Sequence, residues 1–159
     1  MNTVLPTSWI PRPSRVLPPD PTIYRGPAAA YWCTVVFLVV ITARSLIHLL
    51  APDGGAHTIA TIDTGVPGGA NIIAIFGQWG ASQLLLAATL WILLLRYRGL
   101  VPLILCILLM EPFLRGFSGH MKPVMTLGTA PGAALNWFAV PIVAVVLYLA
   151  LCPADERRS

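Results

Sequence analysis

A chain of 159 residues that is 57% hydrophobic and only 10% charged is not composed like a water-soluble domain, since such domains carry about 25% charged residues. Its mean hydropathy is +0.78 and its apolar residues fall in long runs, so lipid is the expected solvent. The formal net charge of +4 is dispersed over segment ends and the N-terminal stretch, with no basic stripe interleaved with aromatics. That excludes a nucleic-acid partner as its meaning and leaves the arginines as determinants of membrane topology.

Residues 1–27 contain seven prolines, each removing a backbone donor and clashing with the turn before it. The expectation is an extended or disordered tail, distinct from a membrane domain over 28–152 and a short second tail over 153–159. No apolar core follows its charges closely, so the tail is not expected to be a signal peptide.

Four apolar segments follow, at 28–50, 71–95, 100–119 and 133–152. Each has about the 20 residues needed to cross the hydrocarbon, and only a helix satisfies its own backbone there without closing into a barrel. The predicted fold class is an all-α membrane protein with four transmembrane helices in one bundle. Arg12, Arg15 and Arg25 precede the first segment, Arg96 and Arg98 join the second to the third, and Arg157 and Arg158 end the chain. The stretch 51–70 has no Lys or Arg, and the loop after the third segment has only Lys122. The positive-inside rule then places both termini in the cytoplasm and both longer loops outside, in a multi-pass inner (cytoplasmic) membrane protein. Cys33, Cys106 and Cys152 are far apart and form no CxxC, which predicts free thiols.

The first and third segments end alike. One closes Arg44-Ser-Leu-Ile-His48 and then Pro52; the other closes Arg115-Gly-Phe-Ser-Gly-His120 and then Pro123. The loops after them also match, Thr61-Ile-Asp-Thr64 against Thr126-Leu-Gly-Thr129. A two-span internal repeat would relate the halves by an axis along the membrane normal. Chance similarity of apolar sequences is the alternative.

Glu111 is the one acidic residue inside a long apolar run, where an ionisable group needs a partner. Counting about 1.5 Å per residue from the inner ends puts Glu111 about 17 Å deep, Arg115 about 23 Å and Arg44 about 24 Å. Arg44 and His48 share a helix face at i, i+4, as do Glu111 and Arg115. Glu111 is therefore expected to sit between the two guanidiniums, a carboxylate accepting forked bonds from both. The one positive charge left over suits an anion, a headgroup or Asp53. Gln78 and Gln83, with Asn136 across from them, add polar groups at the same level, and His48 and His120 reach similar height. The inner half is apolar throughout. Two plainer readings stand beside this: arginines snorkelling to headgroups, and a Glu111–Arg115 pair that only locks the bundle.

His48, His57, His120 and Asp53 are candidates for Zn²⁺, Cu²⁺ or haem iron, but no HxxxH or similar spacing supports a metal, and separate interfacial histidines are the ordinary explanation. Pro112 and Pro141 interrupt the third and fourth segments and can open a pocket between them. Gly77, Gly80 and Ala81 form a small face suited to close helix contact. PDGG and VPGGAN are turn formers. The chain has no nucleotide loop, nucleophile elbow or Ser/His/Asp arrangement, so no catalytic residue and no cofactor is assigned.

The four segments, the polar end of the third and the short arginine turn RYR give a chain that resembles small bacterial four-helix membrane proteins of the DoxX-like type. APDGG closing the first segment, Gly77 and Gly80 in the second, and EPFLR then KP around the third carry the resemblance over about residues 28 to 152. It implies a four-helix membrane fold and a link to membrane-associated redox complexes, and it transfers no catalytic residue. The functional expectation is an accessory or binding subunit with a polar pocket in the outer-leaflet half, its partners the bilayer, a hydrophobic or anionic small molecule, and a membrane protein or a second copy. A quinone- or isoprenoid-handling subunit and a small oligomeric transporter are the alternatives.

Overall fold

The computed structural model describes residues 2–129 and 131–154, the side chains of 131–136 excepted. Arg157, Arg158 and the side chain of Asn136 therefore lie outside the described residues. Four α-helices follow one another: α1 (Ala28–Leu50), α2 (Gly69–Arg96), α3 (Val101–Met121) and α4 (Pro131–Leu151). Single 3-10 turns occur at Pro13–Arg15 and Arg98–Leu100, and there is no strand among the described residues. Three stretches, Ala28–Leu50, Gly69–Arg96 and Arg98–Met121, are long and apolar enough to cross a membrane.

The helix ends follow local chemistry. Pro27 precedes α1 and Ala51-Pro52 closes it, as expected where proline biases its predecessor away from helix. Gly68 enters α2 at φ 90, a left-handed conformation that glycine alone adopts without cost. Pro102 sits in the first turn of α3, where a missing N–H is harmless. Within α1 the hydroxyls of Thr34, Thr42 and Ser45 donate to the carbonyls of Ala30, Leu38 and Ile41 at 2.7–2.8 Å, which satisfies them inside an apolar helix.

The chain packs as two hairpins, α1 on α2 and α3 on α4, with sparser contact between them. Gly80 permits the α1–α2 approach: a Cβ there would lie 2.6 Å from the Leu49 nitrogen. Gly77 is less crowded, its nearest neighbour being the His48 carbonyl at 4.0 Å. The small face expected from the sequence thus serves packing. The hairpins join through a core of Leu38, Leu90, Leu94, Ile104 and Leu105, closed by Val143, Val146 and Ala150 of α4. The buried residues of α3 stop at Leu108. Beyond it Met110, Phe113, Leu114 and Phe117 are exposed, so the bundle is tight at one end and splayed at the other.

The tight end is closed by the N-terminal segment, which takes the extended form and is ordered rather than loose. Helix ends leave backbone groups unpaired, and here the tail pairs them. The carbonyls of Thr3 and Val4 accept from the N–H groups of Ala28 and Ala29 at 3.0 and 3.3 Å, at the start of α1. The N–H groups of Arg12 and Thr7 donate to the carbonyls of Leu151 and Pro153 at 3.0 and 2.8 Å, at the end of α4. Gly99 donates to Pro21 at 2.7 Å, and Arg15 donates to the Cys152 carbonyl at 3.0 Å. Prolines that forbid a helix leave carbonyls without partners inside the segment, which makes such a segment a good cap for helix ends. The turn between α2 and α3 lies at this same end, and the loops after α1 and α3 meet at the other.

Deleting residues 1–12 should expose these groups. At about 1 kcal/mol per hydrogen bond lost, several kcal/mol of stability should go, read as a lower melting temperature in detergent. An unchanged melting temperature would mean that the tail decorates the bundle without holding it.

Candidate functional site

The splayed end holds the polar groups. Arg44 of α1 and Glu111 and Arg115 of α3 come together there. The Arg115 Nη2 donates to Glu111 Oε2 at 3.1 Å, and the Arg44 Nη2 lies 3.9 Å from Glu111 Oε1. Each guanidinium thus faces a separate oxygen of one carboxylate, and the side chains are 25% to 33% exposed, so they are partly buried and not in the dry core. Three formal charges sum to one excess positive charge. The Nε atoms of both arginines are buried and have no hydrogen-bond partner among the described residues, a costly state for a donor away from water.

Trp79 of α2 holds this cluster to the rest of the end. The Arg44 guanidinium carbon lies 5.7 Å from its ring centroid, a cation–π distance. Trp79 also touches the His48 ring at 4.7 Å and the Phe76 ring at 5.9 Å. His48 is buried, and its Nδ1 is 2.8 Å from the Gly54 carbonyl. A carbonyl only accepts, so Nδ1 carries the proton.

The Gly54 carbonyl is placed by a turn whose construction is visible in the sequence. Gly54 and Gly55 have φ 57 and 72, values that a side chain rarely tolerates. Asp53 accepts from the N–H groups of Gly55 at 2.9 Å, Thr58 at 2.8 Å and His57 at 3.2 Å. These backbone bonds, Thr58 first, pull its carboxyl down to about 2. The carboxylate is consumed in shaping the loop and does not balance the excess arginine charge, as the sequence had allowed.

Between the four helices and this loop lies a cavity of about 360 Å³. Its walls are mostly apolar, with Ile62, Phe76, Trp79, Phe113 and Trp137 prominent, while Arg44, His48 and Arg115 reach into it. Pro112 also lines it; its missing N–H leaves the Leu108 carbonyl without its helical donor, and α3 nevertheless runs through it unbroken. The roof is made by residues 59–62 together with Val124 and Thr126, and Thr61 fastens it. Its carbonyl accepts from the Leu127 N–H at 2.8 Å and its hydroxyl donates to the Gly128 carbonyl at 2.9 Å. Thr61 has φ 55, a rare conformation for a β-branched residue that this double clamp helps hold. The two loops of similar sequence therefore meet each other. Their helix ends are not alike, since His48 is buried and His120 exposed.

A second opening, a groove of about 630 Å³, runs between α2 and α3. Trp79 and Arg115 line both spaces, and Glu111 and Gln83 belong to the groove. Of the residues expected at one site, the structure joins Arg44, Glu111 and Arg115, sets His48 against them through Trp79, and places Gln83 on the same groove as Glu111. His120 and Gln78 are left out. His120 lies exposed near the end of α3, past the stretch that faces α1. Gln78 is exposed one position, about 100°, round the helix from Trp79. His57 is exposed, its Nδ1 3.2 Å from the Ile62 carbonyl. No three His, Cys, Asp or Glu side chains gather as metal ligands among the described residues. The cysteines are free thiols, with Cys33 exposed, Cys106 half-buried and Cys152 buried.

The residue that sequence reasoning missed is Trp79. It adjoins Gly80, whose lack of a side chain marks the α2 face laid against α1, and that adjacency was the available signal. No family model, curated protein or solved structure matches the chain.

Acidification should loosen the roof before the bundle. The folded Asp53 carboxyl ionises at about 2, below its ordinary 3.8. Its contribution is then complete above pH about 4 and fades as the pH falls through about 2. Amide exchange at Gly55 and Thr58 should accelerate, relative to the core amides of α1 and α2, by roughly tenfold between pH 4 and pH 2. Asp53→Asn should abolish that pH dependence; its persistence in the variant would assign it to another group.

Proposed function

We propose that the chain is a four-span integral membrane protein that binds an anionic amphiphile, with the charged head against Arg44 and Arg115 beside the aromatic wall. A non-catalytic binding or accessory role fits best, and the DoxX-like resemblance is retained as the frame for it. The four-span reading is supported by the length of α4. Its 21 residues make about 31 Å of helix, enough for a hydrocarbon core of about 30 Å. The apolar residues turned outward on the helices, among them Val36, Val40, Leu85, Ile92 and Phe117, suit lipid better than water. The positive-inside orientation, both termini cytoplasmic in an inner membrane, is part of this proposal.

The observation that carries the binding reading is the pair of guanidiniums on a single carboxylate. A purely structural ion pair would need one arginine. The second leaves a net positive charge beside an apolar cavity into which both arginines reach, and a phosphate or carboxylate head can balance it.

Arg44→Gln tests this cleanly, because it removes the excess charge and leaves the Glu111–Arg115 pair within α3. Hexadecyl phosphate should bind the full chain in neutral detergent, measured by equilibrium dialysis, and hexadecanol should not. The variant should lose about tenfold to a hundredfold in affinity for the phosphate, the worth of a charged hydrogen bond. Equal binding of phosphate and alcohol, or a variant that binds as tightly as the parent, defeats the reading.

A further inference from the structure

The cavity and the groove share Trp79 and Arg115. We infer that the amphiphile reaches the arginines sideways from within the bilayer, its head at Arg44 and Arg115 and its hydrocarbon tail in the groove between α2 and α3. This rests on the anionic-amphiphile reading and adds to it the route and the seat of the tail.

Three observations converge. The roof over the cavity is fastened by Thr61 to Leu127 and Gly128, so the loop end is the closed side. The groove rim is exposed, with Met110 at 53% and Leu114 at 63%, so the bundle is open toward its flank. Polarity also changes along the groove. Gln83, Glu111 and Ser118 lie near the arginines, while Leu86, Cys106, Ile107 and Met110 lie toward the tight end. From Arg115 back to Cys106 the helix rises about 14 Å, so the groove presents a charged head position and then a long apolar slot. An amphiphile lying along the helices has that same order of groups. Lipid tails are as apolar as leucine, so the slot gains little by removing a tail from the bilayer. What it does is let the tail stay in an apolar setting while the head reaches the two guanidiniums.

Cys106 sits in the slot and reports its occupancy. The Cys33→Ser protein in neutral detergent is alkylated with N-ethylmaleimide, with Cys33→Ser/Cys106→Ser as the blank that subtracts Cys152. Head binding is followed in parallel by equilibrium dialysis. Hexadecyl phosphate at about ten times its Kd should slow Cys106 alkylation about tenfold. Butyl phosphate, with the same head and a tail too short for the slot, should bind and leave the Cys106 rate unchanged. Met110→Trp should fill the slot, weakening hexadecyl phosphate while butyl phosphate still binds, which shows that the variant is folded. Bound hexadecyl phosphate with Cys106 alkylated at the free rate overturns the tail assignment and leaves the head site standing. Protection by butyl phosphate also overturns it, since the thiol would then be reporting a closure of the bundle. Binding of neither phosphate overturns the amphiphile reading and this inference with it.

Discussion

The splayed end of the molecule depends on one carboxylate. Glu111 is shared by an arginine of its own helix and an arginine of the opposite hairpin, and among the described residues it makes the ionic tie between α1 and α3. Partial burial makes such a tie expensive as well as strong. Charges brought out of water lose hydration that their attraction only partly returns, so the cluster is better understood as fixing geometry than as adding stability. It holds two cationic groups at one height, on two different helices, facing a common space. Without Glu111 they would repel and turn toward headgroups.

The other end is stabilised by different means, and the contrast explains the shape. There the core is apolar and filled, from Leu38 and Leu94 to Ile104 and Leu105, and the remaining backbone groups at the helix ends are taken up by a proline-rich segment. A tail with few helical hydrogen bonds of its own has donors and acceptors to give away. Arg15 takes part by reaching the carbonyls of Arg25 and Cys152 at 2.9 and 3.0 Å. One end of the bundle is thus locked by packing and capping, which leaves the helices of the opposite end free to splay around a charged site.

The four helices were legible in the sequence because apolar runs bounded by proline, glycine and arginine leave few other solutions. The first was placed over its observed range, 28–50, and the others to within two residues. The ion cluster was legible too, since depth counted along two helices brought Arg44, Glu111 and Arg115 to adjacent levels. Depth gives no azimuth, however. It put Gln78 and His120 at the right height, but the direction in which each side chain points depends on how the helices are rotated against each other, and Gly80 sets that rotation for α2. The role of the tail was illegible for a related reason. Its interactions run through the backbone, mostly to carbonyls and amides, and those groups are the same in every sequence.

A site at one end of a bundle whose other end is packed has only some of the uses open to a membrane protein. Passage through the bundle needs polar groups along the whole route, and the layer of Leu90, Leu94, Ile104, Leu105 and Val146 offers none. A transporter built from this chain would have to carry its cargo between copies, away from the arginines that are its most distinctive feature. Ligation of one metal or haem iron by His48 and His120 would need them close together, but His48 is turned into the Gly54 turn and His120 lies exposed on α3. The proposed reading that fits these elements is retention, in which a ligand entering from the flank between α2 and α3 would be oriented by the two guanidiniums and stopped by the packed core below.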